Sequence, residues 1–159
     1  MNGHLGGKFA DLLDGGPCGY ACRVASYTKV HLTEDVEDVA GANGVEGLQA
    51  HFATAALDLQ RSGVSFQRIE PGKRQPWGHR HEKQEEIYVI VGGSGTAKLG
   101  DEEVELGRLD ALRVPPELAR NFEAGPDGLE LIAFGAPRSP EDDAGSDSEM
   151  LPGWWGDDE

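Results

Sequence analysis

Two histidines one residue apart, His79 and His81, are followed by the polar link Glu82-Lys83-Gln84 and a pair of carboxylates, Glu85 and Glu86. In an extended chain alternate side chains share a face, so both imidazoles can converge on one point. Two imidazoles and one carboxylate form a facial set for Fe(II), Mn(II) or a similar divalent ion, with positions left open for a substrate. Taken alone, the same residues read as two solvent-exposed histidines beside a charged hairpin. Trp77, two residues before His79, and Tyr88, two residues after Glu86, are the candidates for a pocket wall.

Such a cluster has to be positioned by short strands, and the chain is rich in them. Val64 to Ile69 alternates like a strand, and Pro71-Gly72 then breaks the chain. A dense succession follows: Glu85 to Val91, Thr96 to Leu99, Glu102 to Leu106, Asp110 to Val114, Arg120 to Ala124 and Leu129 to Phe134. Gly100-Asp101 fits a two-residue hairpin with glycine first, and Asp127-Gly128 an Asp-Gly turn. Short antiparallel strands without βαβ alternation mean an all-β fold, a sandwich or jelly roll, and no internal repeat divides it. Upstream, Ser26 to Leu32 reads as a strand. Thr33 to Gly47 reads as an acidic loop with one helical turn at Glu34 to Val39, which Thr33 is placed to cap. Leu48 to Leu59 is read as a strand, although its alanines and leucines also suit a helix.

The 159 residues suffice for one domain. The organisation expected is a flexible Gly-rich leader over 1–25, a barrel with its N-terminal strand and loop over 26–137, and an acidic tail with a tryptophan pair over 138–159. A formal net charge of −15, from 29 acidic against 14 basic residues, repels phosphate backbones and anionic lipid and argues against nucleic-acid or membrane-surface roles. No secretory pattern and no apolar run near ~20 residues is present, so a cytoplasmic protein is expected, with Cys18 and Cys22 as reduced thiols and not a zinc site. In the tail, Glu141, Asp142, Asp143, Asp147, Glu149, Asp157, Asp158 and Glu159 face only Arg138 and read as solvated. Trp154 and Trp155, each able to bury ~150–250 Å², are expected to pin the tail to the barrel or to a neighbouring subunit.

The segment Gly78 to Gly95 resembles the first motif of the cupin superfamily: a Pro-Gly turn, His-x-His, a short interval, Glu, six residues and Gly. Pro71-Gly72, His79, His81, Glu86 and Gly93 supply its elements, with Gly72 one residue farther from the first histidine than usual. Glu85 with Gly92 fits the same spacing; Glu86 is preferred because Gly93-Ser94-Gly95 then ends the strand as the family's Gly-x-Gly does. The family's second motif has its counterpart in Leu109 to Ala124, where Leu109 replaces the opening Gly, Glu117 the second Gly, Arg120 the ligand His and Ala124 the Asn. The resemblance spans about Leu48 to Phe134. It implies a double-stranded β-helix, commonly a homodimer, and a metal set of His79, His81 and Glu86 for Fe, Mn, Ni or Zn.

Arginine cannot coordinate a cation and repels one nearby. Two outcomes follow. Arg120 turns aside, leaving a weak metal site in an enzyme of dioxygenase or isomerase type and a guanidinium free to clamp an anionic substrate. Or Arg120 pairs with Glu86 and replaces the metal, in a cupin that binds a small molecule, with an anion expected. The second outcome is favoured, because the ion pair needs nothing external.

Overall fold

The computed structural model describes residues 27–138 and 147–156. The leader, with Cys18 and Cys22, lies outside the described residues, as do Glu141, Asp142, Asp143, Asp157, Asp158 and Glu159. Among the described residues one short helix, α1 (Val39–Ala42), precedes eight strands: β1 (Leu48–Phe52), β2 (Gly63–Ile69), β3 (Gly78–His81), β4 (Glu85–Leu99), β5 (Glu102–Gly107), β6 (Ala111–Val114), β7 (Arg120–Ala136) and β8 (Ser148–Leu151). No described helix is long and apolar enough to cross a membrane.

Strands β4 and β7 are the frame of the barrel. They run antiparallel along nearly their whole length, from Glu85 opposite Ala136 to Leu99 opposite Arg120. The sequence pattern divides each into two strands at its glycines. The structure joins the halves, because the glycines bend the ladder without ending it. Gly93 and Gly128 both have positive φ, at 68° and 78°. A Cβ on Gly93 would collide with the carbonyl oxygen of Gly128, so a side chain there would force the two strands apart. Strand β6 pairs with β4 before the bend, at Glu86 to Val89, and β5 pairs with it past the bend, at Ser94 to Leu99, while the second path of the sheet runs β1-β2-β7-β3-β8. The result is an all-β double-stranded jelly roll whose interior holds Ile69, Tyr88, Ile90, Leu106, Val114, Phe122, Leu129 and Leu131. Gly100-Asp101 is the turn between β4 and β5, with Gly100 at φ 59°.

Three expectations upstream and one downstream are corrected. Tyr27 to Leu32 form no strand, and Tyr27 is exposed. The outer edge of β1, where such a strand would pair, is already taken: Asp38 accepts from Ala50 N, and His51 Nδ1 lies 2.8 Å from the Val36 carbonyl. The helical turn starts five residues later than expected, at Val39–Ala42, capped by Asp38 and not Thr33. Strand β1 ends at Phe52, because 53–59 fold into a turn with Leu57 N on Ala53 O and Asp58 at φ 55°.

The downstream correction concerns the tail, which is not wholly solvated. Residues Ser148–Leu151 form β8 and pair with the histidine strand, Gly78 opposite Leu151 and His81 opposite Ser148. Glu149 pairs with Arg80 at 2.6 Å. Trp154 and Trp155 pin the segment to the barrel: the Arg74 guanidinium lies 4.4 Å over the Trp155 ring, and Lys98 Nζ donates to the Trp154 carbonyl at 3.0 Å.

Candidate metal and ligand site

Alternation along β4 selects the carboxylate. Glu86, Tyr88 and Ile90 form one inward file, whereas Glu85 and Ile87 face outward. Glu85 accordingly pairs with Arg113 on the outer surface, away from the histidines. On β3 the same alternation turns His79 and His81 inward and Arg80 outward, and the two imidazoles meet edge to face with centroids 5.3 Å apart. The Nε2 atoms of both histidines lie 3.4 Å from a single oxygen, Glu86 Oε2.

Arg120 starts β7 directly opposite His79 and reaches the same oxygen, with Nη2 2.8 Å from Glu86 Oε2. Its side chain is completely buried. The remaining donors are spent inside the protein: Nε donates to the Tyr88 hydroxyl at 3.1 Å, and Nη1 to the carbonyls of Leu118 and Pro116 at 3.0 and 3.2 Å. The Tyr88 hydroxyl in turn donates to Glu86 Oε2. Tyr88 is therefore a buried member of this network, packed on Phe122 with ring centroids 4.7 Å apart, and not merely a wall. Trp77, the other expected wall, is 44 % exposed and stands just before β3.

The electrostatics follow from these contacts. Burial by itself raises the Glu86 carboxyl, but the two imidazoles and the Arg120 charge outweigh it and hold Glu86 far below the usual carboxylate range. Burial lowers His79, and the Arg120 charge adds to that, so its imidazole stays neutral further into acid than an ordinary histidine. Burial and the neighbouring Glu86 charge raise the Tyr88 phenol well above its ordinary value, keeping it a hydrogen-bond donor. Burial opposes charge on Arg120, but Tyr88 and Glu86 more than compensate.

The donor set only partly suits a metal. One ligand atom each from His79, His81 and Glu86 can be chosen within 4.8 Å of one another, the spacing of a divalent ion's donors. Against that, the carboxylate oxygen is engaged by Arg120 and Tyr88. Each unit of positive charge placed ~4 Å from the guanidinium meets about 4 kcal/mol of repulsion at an effective dielectric of ~20. The site as arranged fits an internal ion pair better than a firmly held dication.

One residue at the site was invisible in the sequence pattern. Asp147 lies beside His81, its Oδ2 3.4 Å from Nδ1, and accepts from the backbone N–H groups of Lys83 and Gln84 at 3.1 and 3.0 Å. The apolar pair Met150-Leu151 downstream is the one sequence signal that could have marked this segment as docked.

A bent antiparallel sheet closed around an inward cluster of two histidines, a glutamate and an arginine defines a single jelly-roll barrel. Residues 65–133 match the cupin domain family. The chain thus carries a cupin domain over these residues, and its barrel has the fold of small single-barrel cupins. A cupin protein from Bacteroides fragilis is 23 % identical, with 76 % of this chain and 92 % of that chain covered at a TM-score of 0.59. KdgF from a Halomonas species is 19 % identical, with 74 % and 98 % covered and a TM-score of 0.58. Streptomyces PAC13, in a substituted form with uridine, is 18 % identical, with 67 % and 78 % covered and a TM-score of 0.54. No curated protein matches the chain in sequence at a significant level.

Proposed function

We propose that this protein is a ligand-binding cupin in which the Arg120–Glu86 ion pair takes the place of a tightly held metal. The observation that carries this reading is the 2.8 Å contact between Arg120 Nη2 and the oxygen approached by both histidines. The ligand is a small polar molecule entering beside His79 and His81. An anion preference loses its main support, because a buried guanidinium with its donors on Glu86, Tyr88, Pro116 and Leu118 is not free to clamp a carboxylate or phosphate. The uridine named with the Streptomyces protein is a ligand of the neutral polar kind. A cytoplasmic homodimer completes the proposal, with the half-exposed outer pair Ile87 and Phe134, opposite each other on β4 and β7, as the place to look for the dimer contact.

A metal count on protein purified without chelators or a histidine tag tests the reading. The expected content is well below one ion per chain. Near-stoichiometric Fe, Mn, Ni or Zn that disappears in a His79→Ala/His81→Ala variant would sink it and favour the second reading, a metal-dependent enzyme. That alternative rests on the mutual spacing of His79, His81 and Glu86. In it the metal would supply Lewis acidity, and the three side chains would hold it. Restoring histidine by Arg120→His is the complementary step: a rise in Zn(II) or Mn(II) affinity of at least ~100-fold is expected once the guanidinium is gone and a fourth donor is added.

A further inference from the structure

A cleft of about 430 Å³ opens next to the barrel cluster, between the docked tail and the turn before β7. Its lining includes Arg80, His81, Glu82, Glu117, Asp147 and Glu149. Four of these are carboxylates. The one permanent cation, Arg80, is already paired with Glu149, while Glu82 and Glu117 have no ion-pair partner among the described residues. The size suits a small molecule and the walls are rich in acceptors.

His81 is the independent sign that something is missing there. Its side chain is only 10 % exposed, yet neither ring nitrogen has a hydrogen-bond partner among the described residues. The ring lies between two carboxylates, with Glu86 on the Nε2 side and Asp147 on the Nδ1 side, each at 3.4 Å. A neutral imidazole carries one ring proton, so one of these nitrogens sets a lone pair against an acceptor. On the Glu86 side, Arg120 and Tyr88 already bring donors. On the Asp147 side the N–H groups of Lys83 and Gln84 likewise reach the carboxylate and not the ring, so with the ring proton on Nε2, toward Glu86, a donor from the cleft can bridge Nδ1 and Asp147.

We propose that this cleft binds a small organic cation through a primary ammonium group. Its N–H donors bridge Asp147 and His81, and its charge is matched by Glu82 and Glu117 at the rim. A carboxylate ligand is disfavoured by the same four acidic side chains. One wall is made by residues 147–149, so binding depends on the docked tail. The cleft lies outside the Arg120–Glu86 pair, and the inference rests on the metal-free reading proposed above, because a metal on His81 Nε2 would fix the ring proton on Nδ1, facing Asp147.

Calorimetric titration of the full chain at low salt with putrescine, succinate and the four-carbon diol separates the possibilities. Saturable putrescine binding is expected, with succinate and the diol at least ~10-fold weaker. Glu82→Gln/Glu117→Gln alters only exposed side chains and is expected to weaken putrescine ~3- to 10-fold. Asp147→Asn is expected to weaken it further. Succinate binding as tightly as putrescine, putrescine binding unchanged in the double variant, or no saturation by ~10 mM would each overturn the proposal. So would stoichiometric displacement of putrescine by calcium alone, which would make the cleft a metal site.

Discussion

Replacing Arg120 by methionine keeps much of the side chain's apolar volume and removes its charge. At 2.8 Å from Glu86 Oε2, the guanidinium contributes an attraction of about 6 kcal/mol at an effective dielectric of ~20. Desolvation of the two groups cancels a large part of that, so the pair as a whole is worth little. Breaking it is another matter. Losing one partner strands a buried carboxylate at a cost of roughly 3–5 kcal/mol, and the Tyr88 hydroxyl and the carbonyls of Pro116 and Leu118 lose their donor. Glu86 keeps 12 % exposure and its two imidazoles, which favours the lower end. Arg120→Met is therefore expected to reduce the urea-unfolding free energy by about 3 kcal/mol near neutral pH. The corresponding drop in Tm is ~6–12 °C for a chain of this size. Arg120→Met/Glu86→Gln should regain at least ~1 kcal/mol of the loss, since no charge is left behind. A single variant that loses less than ~1 kcal/mol, or a double variant no more stable than the single, would refute the reasoning.

Three further outcomes are expected. Gly78→Ala places a Cβ within 2.6 Å of Trp154 Cγ and should push the tail off β3, lowering stability by roughly 1–3 kcal/mol with a red-shifted tryptophan emission; unchanged emission would count against the docking. Leu109 stands at φ 75°, where the related motif has glycine, so Leu109→Gly should relieve backbone strain and raise stability by about 0.5–1 kcal/mol in denaturant melts, and a loss would mean that its side chain packs. Stability should also fall with acid in two stages. The unfolded chain takes up the His79 proton below its ordinary 6.5 while the folded chain does not, so stability declines as pH drops below that value. The Glu86 contribution, present above its ordinary 4.5, is lost as pH falls further. Urea melts across both ranges check the sign, and a flat profile in wild type would contradict both assignments.

The strands with clean alternation and glycine-marked turns were legible in the sequence, because a half-buried strand must alternate and a tight turn must accommodate a positive φ. The continuity of β4 and β7 was not, since a glycine that ends a strand and one that bends it look alike until the partner strand is known. His79 and His81 could be placed together from spacing alone. The choice of Glu86 could not be made by alternation, because Ile87 and Val89 are as apolar as Tyr88 and Ile90 and the inward file is ambiguous. Arg120 was marked by its position in the second motif, yet two of its four internal acceptors, the Pro116 and Leu118 carbonyls, belong to the folded turn alone. Asp147 was hidden because its partners Lys83 and Gln84 lie 64 and 63 residues away, and four residues of β8 are too few to show a period.

Strand β3 is held to β7 by a single ladder pair, His79 opposite Arg120, with one further bond from His81 N to the Pro116 carbonyl. On its other side, β8 pairs with it over all four residues. The two histidines therefore ride on a segment whose local opening is governed by the tail, while β4 and β7 open only with the whole barrel. Any molecule that needs both imidazoles in place binds with its intrinsic affinity scaled by the fraction of chains in which β8 is seated. By reciprocity, such a molecule tightens the seating of Trp154 and Trp155, so occupancy of the site can be followed from the strap by hydrogen exchange at Ser148 to Leu151.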